Sequence, residues 1–141
     1  MATADEMGPA RPITSVVAML HVADVERSSA FYRLLGFEVG NRVPATGPAS
    51  WAWLYAPAAA NWRRGPNLML ARAEEPVDRK AQAVLFYLYA ADLRGLRDSL
   101  LANGVAAGEI THPEYLPAGE FGLVDPDGYC LMIAQSTDET P

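Results

Sequence analysis

The sequence predicts an α+β fold built from two tandem βαβββ modules, and three observations carry that expectation. An apolar strand-like run followed by an Asp-capped amphipathic helix occurs twice, at 15–36 and again at 82–104. Each helix is followed by three short strand-like runs punctuated by Pro and Gly. Between the two copies lies the charged, Pro-containing stretch 74–80, "EEPVDRK", composed as a linker between modules should be.

The first strand is "SVVAMLHV" (15–22), rich in β-branched and apolar residues. Asp24 offers an N-cap for "VERSSAFYRLLG", whose Phe31, Leu34 and Leu35 share one helical stripe and whose Gly36 supplies the C′ stop. Strands are then predicted over 37–43, 50–56 and 67–73. In the second copy the strand "QAVLFYLYA" (82–90) leads to Asp92 and "LRGLRDSLLANG". There Leu93, Leu96, Leu100 and Leu101 lie on one side and Gly104 ends the helix. Strands over 107–113, 119–125 and 129–135 complete it. These boundaries define a single domain over 13–135, with module one at 13–73, the linker at 74–80 and module two at 81–135. Residues 1–12 and 136–141 read as flexible tails.

The chain of 141 residues is long enough for one core without disulfides or metals. A net charge of −6, with 11 scattered basic residues, excludes a nucleic-acid binder. The opening residues lack the apolar core of a secretory signal, and no run approaches the roughly 18 apolar residues of a membrane span. The single cysteine, Cys130, sits in an apolar strand and is expected to be a buried small hydrophobe. Together these features predict a cytoplasmic protein with neither membrane nor nucleic acid as a partner.

One helix per module covers only one face of each half-sheet, so the other face must meet something. Val16, Ala18, Leu20 and Val22, and in the second copy Val84, Phe86 and Leu88, form the parity expected beneath the helices. The opposite parity holds Val17, Met19 and His21, then Leu85, Tyr87 and Tyr89. Apolar bodies with polar tips suit the wall of a ligand cavity. "SWAWLYA" adds Trp51, Trp53 and Tyr55 on one parity, and Trp62 in the following loop is placed to close over a guest.

The stretches "VADVERSSAFYRLLGFEVG" (22–40), "YAADLRGLRDSLLANGV" (89–105) and "EFGLVDPDGYCLMI" (120–133) resemble the vicinal oxygen chelate superfamily, which includes glyoxalase I, extradiol dioxygenases and the fosfomycin- and bleomycin-resistance proteins. The resemblance covers about residues 14–135. It implies a half-open β-barrel of the glyoxalase/bleomycin-resistance fold, commonly dimeric, with a divalent metal held on His and Glu in the enzymes. The positions matching those ligands are Val17, Met69, Leu85 and Met132, and none offers a donor suited to zinc, iron, manganese or magnesium. No metal and no cofactor are therefore expected, and metal-dependent catalysis is not.

The reading that follows is a metal-independent binder that sequesters an aromatic or planar drug or natural product, in the manner of antibiotic-resistance or self-resistance proteins, as a homodimer. Its ligand-binding residues are expected to be His21, Trp51, Trp53, Tyr55, Trp62, Met69, Leu85, Tyr87, Tyr89 and Met132, with no catalytic residue. The alternative is a cofactor-free tailoring enzyme, an isomerase, cyclase or lyase, with His21, Tyr87 or Glu120 as acid or base. Asp125 and Asp127 are read as acceptors for backbone N–H groups within the Pro-Gly turn.

Overall fold

The structure, a computed structural model, describes residues 12–141, so the expected N-terminal tail lies almost entirely outside the described residues. The elements run β1 (Met19–Val22), α1 (Val25–Arg33), β2 (Glu38–Val43), β3 (Trp51–Tyr55), β4 (Asn67–Arg72), β5 (Leu85–Ala90), α2 (Leu93–Ala102), β6 (Glu120–Val124) and β7 (Cys130–Gln135). They form two sheets, ordered β1-β4-β3-β2 and β5-β7-β6. In each sheet the module's first strand lies parallel beside its last, β1 with β4 and β5 with β7, and the remaining pairs are antiparallel. That shared pattern is the duplication read from the sequence.

Both helices start where their caps predict. The Asp24 carboxylate accepts the Arg27 N–H at 3.1 Å, and Asp92 accepts the Gly95 N–H at 3.0 Å. Gly36 and Gly104 follow at φ of +97° and +80°, the left-handed conformation that ends a helix without steric cost. The inward faces of the strands pack on these helices in one core that includes Leu20, Leu54, Leu70, Leu100, Phe121, Leu131 and Ile133.

Several sequence expectations are corrected. The first strands begin later than predicted, at Met19 and Leu85, and Val16 and Val84 are 87% and 55% exposed rather than roofed by a helix. The nine-residue α1 is about 13 Å long, enough to cover about four strand residues. Segment 107–113 runs beside β6 without becoming a strand. Gly108 donates to Gly122 and Thr111 pairs with Glu120, so Glu109 and Ile110 on one side oppose Phe121 alone on the other, and the extra residue breaks the ladder. Leu101 is exposed, and Cys130 is exposed rather than buried, because β7 turns it away from the core between Leu131 and the turn. The expected C-terminal tail is tied at its start, where the Ser136 N–H donates to the Ala90 carbonyl.

The largest difference concerns α1. Its buried stripe is Val25, Ser28, Ser29 and Tyr32, while Phe31, Leu34 and Leu35 are only partly buried at the core's edge. Ser28 faces inward because the Asp125–Gly128 turn of module two docks there. Asp127 accepts the Ala23 N–H at 2.9 Å and the Ser28 hydroxyl at 3.2 Å, with the Arg27 guanidinium at 3.5 Å. Asp125 accepts the Tyr32 hydroxyl at 2.8 Å together with the N–H groups of Asp127 and Tyr129. Only the Asp125 carboxylate serves the turn's own backbone; that of Asp127 accepts from Ala23, Ser28 and Arg27 instead, and both fasten one module to the other.

Candidate functional site

Alternation along the strands puts almost every expected ligand-binding residue on the faces of the two sheets that no helix covers. In the first sheet Met19, Met69 and Trp53 form one cross-strand row and His21, Ala71 and Trp51 the next. In the second sheet the rows are Leu85, Cys130 and Val124, then Tyr87, Met132 and Gly122, then Tyr89, Ala134 and Glu120. Of these, only Ala134 and Glu120 are buried; the others are half-buried or exposed, in contrast to the sealed inward parity.

The aromatic residues fall into two groups. Trp53 and Tyr55 stack with ring centroids 5.1 Å apart and planes 6° from parallel, and Trp62 leans on Tyr55 at 5.3 Å with the Arg63 guanidinium 5.1 Å from the Trp62 ring centroid. The Trp53 indole N–H donates to Asn67 Oδ1 at 3.2 Å, which fixes the stack's orientation. Gly40 on β2 makes room for it, since a Cβ there would run into the Trp53 ring. Tyr87 and Tyr89 form the second group, at 6.4 Å and 28° on the other sheet. Among the described residues no ring pair bridges the two groups.

His21 lies on the same outward face but opens toward a cleft of about 680 Å³ bounded by Arg72, Glu74, Glu75, Asp78 and Tyr129. The Tyr129 hydroxyl donates to the His21 carbonyl at 2.9 Å. A smaller apolar cavity of about 190 Å³ lies between the modules, lined by Leu20, Tyr32, Leu68, Phe86, Leu88 and Leu131 with Tyr87 at its margin. The acid–base set of the alternative enzyme reading is not brought together: among the described residues no hydrogen bond joins the His21 ring to Tyr87 or Glu120.

Tyr87 and Glu120 do meet. The Tyr87 hydroxyl donates to Glu120 Oε2 at 2.9 Å, and Tyr115, from the loop before β6, donates to Oε1 at 2.7 Å. Hydrogen bonding to the carboxylate, aided by desolvation and by its charge, pushes the Tyr87 phenol up to about 12 and raises Tyr115 as well. Sequence reasoning missed Tyr115, which sits between Pro113 and Pro117 in a loop with no periodic pattern. The available signal was its five-residue separation from the carboxylate of Glu120.

The positions that match the superfamily's metal ligands do not fit a divalent cation. Val17 precedes β1, Leu85 is exposed, Met69 and Met132 are half-buried, and the set offers hydrocarbon and two thioethers. Among the described residues no three His, Cys, Asp or Glu side chains gather as a cation would require.

Two sheets, each with its module's first strand beside its last and a helix on one face only, define the class: the chain has the fold of solved bleomycin-binding and glyoxalase/bleomycin resistance proteins. The sequence profile of a family described as bleomycin resistance protein-like N-terminal matches residues 14–46, so the resemblance read from the sequence is borne out. A solved bleomycin-binding protein in complex with bleomycin superposes with a TM-score of 0.68 at 20% identity, covering 89% of this chain and 100% of that one. A bleomycin resistance determinant encoded on the transposon Tn5 gives 0.68 at 20% identity, with 88% and 98% covered. TnmS3, an antibiotic-binding protein from a Streptomyces species, gives 0.66 at 21% identity, with 90% and 100% covered. No curated protein sequence matches the chain.

Proposed function

We propose that the chain is a metal-independent small-molecule binding protein that sequesters a planar aromatic drug or natural product on the uncovered faces of its two sheets. The observation that carries this reading is the composition of those faces. Where a solvated sheet carries charge, these strands present Trp51, Trp53, Met69, Leu85, Tyr87 and Met132 half-buried or exposed. Large rings supply stacking surface, worth about 0.5–1.5 kcal/mol per pair beyond the area buried, and the two thioethers adapt to an irregular guest. Three or four such contacts with good shape match reach micromolar binding. Similar folds in proteins named for binding bleomycin and other antibiotics support a role in resistance or self-resistance.

In this reading a second copy of the chain closes the open faces into a cavity, which makes the working unit a homodimer. The unpaired cysteine is compatible with a cytoplasmic location, and among the described residues no helix is long and apolar enough to cross a membrane. The test is a fluorescence titration with planar dyes of the acridine, anthraquinone and phenanthridinium types, followed by chromatographic recovery of the dye. Saturable tryptophan quenching in the micromolar range, unchanged dye and indifference to EDTA are expected. Absence of saturable quenching across all three types, or conversion of a dye to product, overturns the reading.

A further inference from the structure

We propose that Tyr87, Tyr115 and Glu120 form an acceptor-only anchor that selects, among planar aromatic guests, those carrying an N–H or O–H donor or a positive charge beside the ring. This rests on the sequestration reading above and gives it a ligand class.

The inference begins with proton counting. A phenol carries one proton and two lone pairs, and an ionised carboxylate carries no proton at all. Glu120 is only 3% exposed, and each of its oxygens is met by one tyrosine hydroxyl, at 2.9 Å from Tyr87 and 2.7 Å from Tyr115. Both phenol protons are therefore committed inward. What two tyrosines that are 40% and 70% exposed have left to offer is their oxygen lone pairs. A guest meets acceptors and no donor.

Placement ties this cluster to the binding face. Tyr87 stands in the row of Met132 and Gly122, and its ring lies 6.4 Å from that of Tyr89, so its hydroxyl marks the edge of the second aromatic patch. Gly122 has no side chain to obstruct the path from Tyr87 to Glu120, and a Cβ there would already sit 3.2 Å from the Met132 sulfur.

Charge gives a second, independent pointer. A buried carboxylate is ordinarily paired. Yet among the described residues the ion pairs engage Arg27, Arg33, Arg42 and Arg97, and none reaches Glu120. Two neutral phenols solvate the charge without cancelling it. A cationic or donor-bearing guest completes the arrangement with charge-assisted hydrogen bonds, and the net charge of −6 favours its approach. A guest bearing only acceptors meets lone pairs with lone pairs. Accommodating it requires a phenol to turn its proton away from Glu120, which leaves a buried carboxylate oxygen short of a donor. Selection thus works by penalty as well as by gain.

The test is calorimetric titration of the full chain at neutral to slightly basic pH with three ring systems of matched footprint. These are 9-aminoacridine as cation and donor, acridine as neutral acceptor, and anthracene-9-carboxylate as anion. The expected order is 9-aminoacridine tighter than acridine by at least about tenfold, with the anion weakest, since only the first can offer a charge-assisted hydrogen bond to the anchor. Tyr115→Phe, at an exposed loop position, and Tyr87→Phe should each cut that ratio severalfold. The ratio between probes is the readout, because a merely structural role would lower all three affinities together. Equal binding of the three probes, or an unchanged ratio in both variants, overturns the anchor while leaving sequestration standing. Failure of all three to bind overturns both.

Discussion

Asp125 sits almost fully buried with three donors on its carboxylate, and the balance between burial and those donors sets its chemistry. Burial pushes its carboxyl above the ordinary range by more than the bonds from Tyr32 and the turn N–H groups pull it down. The folded chain then holds that proton to higher pH than the unfolded chain does. Its contribution to stability is full below the ordinary aspartate range and is lost as pH rises through the raised value. Asp125→Asn keeps the shape and removes the titration. The stability advantage of the native chain over this variant should therefore shrink as pH rises above the ordinary aspartate range, as read by denaturant unfolding at a series of pH values. Tyr32→Phe leaves the buried carboxylate one donor short and should cost about 1.5–3 kcal/mol, lowering Tm by roughly 5–10 °C. At the second site, Glu120→Gln should bring the Tyr87 phenol down from about 12 toward the ordinary tyrosine range, visible as tyrosinate absorbance in an alkaline titration. Single residues of this kind were only half legible in the sequence. Asp125 and Asp127 announce a turn, but their partners Tyr32 and Ser28 lie 93 and 99 positions away, and nothing local records a hydrogen bond across that separation.

The elements were read more successfully, because their signals are local. Caps at Asp24 and Asp92, stops at Gly36 and Gly104, and strand alternation all act within a few residues; both helices lie where those signals put them, and seven of the eight expected strands form, two of them starting late. Strand starts and the missing strand at 107–113 depend on what lies opposite, which periodicity does not encode. The same limit applies to the aromatic strand. Alternation places Trp53 and Tyr55 on the uncovered face, but their self-stacking over Gly40 follows from the register of β2 against β3. Gly40→Ala puts a methyl into the Trp53 ring and should cost roughly 1–3 kcal/mol while dispersing the Trp53–Tyr55 pair. Loss of near-ultraviolet circular dichroism with a lowered Tm is the expected signature.

At the scale of the molecule, two modules share one core and one polar clasp. Asp127 binds the backbone of Ala23 and the side chain of Ser28, its own carbonyl accepts from Gln82, and the Arg79 guanidinium donates to the Pro126 carbonyl. While the Tyr32–Asp125 bond remains, Asp127→Ala removes that side chain's three bonds to module one together. It should lower Tm and, by loosening the coupling, make the calorimetric and van't Hoff enthalpies of unfolding diverge where the native chain keeps them equal. The uncovered faces were legible as faces from the alternation of Met19 and His21 with Leu20 and Val22. That the aromatics of the two sheets form separate groups, with no ring pair between them among the described residues, was not, since it depends on how the sheets sit together.

The clasp is also one-sided. Module two's turn grips the helix of module one, but among the described residues no hydrogen bond carries the corresponding loop of module one, 57–66, to α2. Gly128, at φ +90° and pressed against the Arg79 backbone, leaves its turn no space for another atom. The loop at 57–66 is mostly exposed and bonded to itself and to the end of β3. For anyone grafting a peptide tag or a reporter domain into this scaffold, the two connections are opposites. An insertion between Ala58 and Ala60 should pass into the folded product, whereas one added residue in the 125–128 turn should cost the chain its soluble expression.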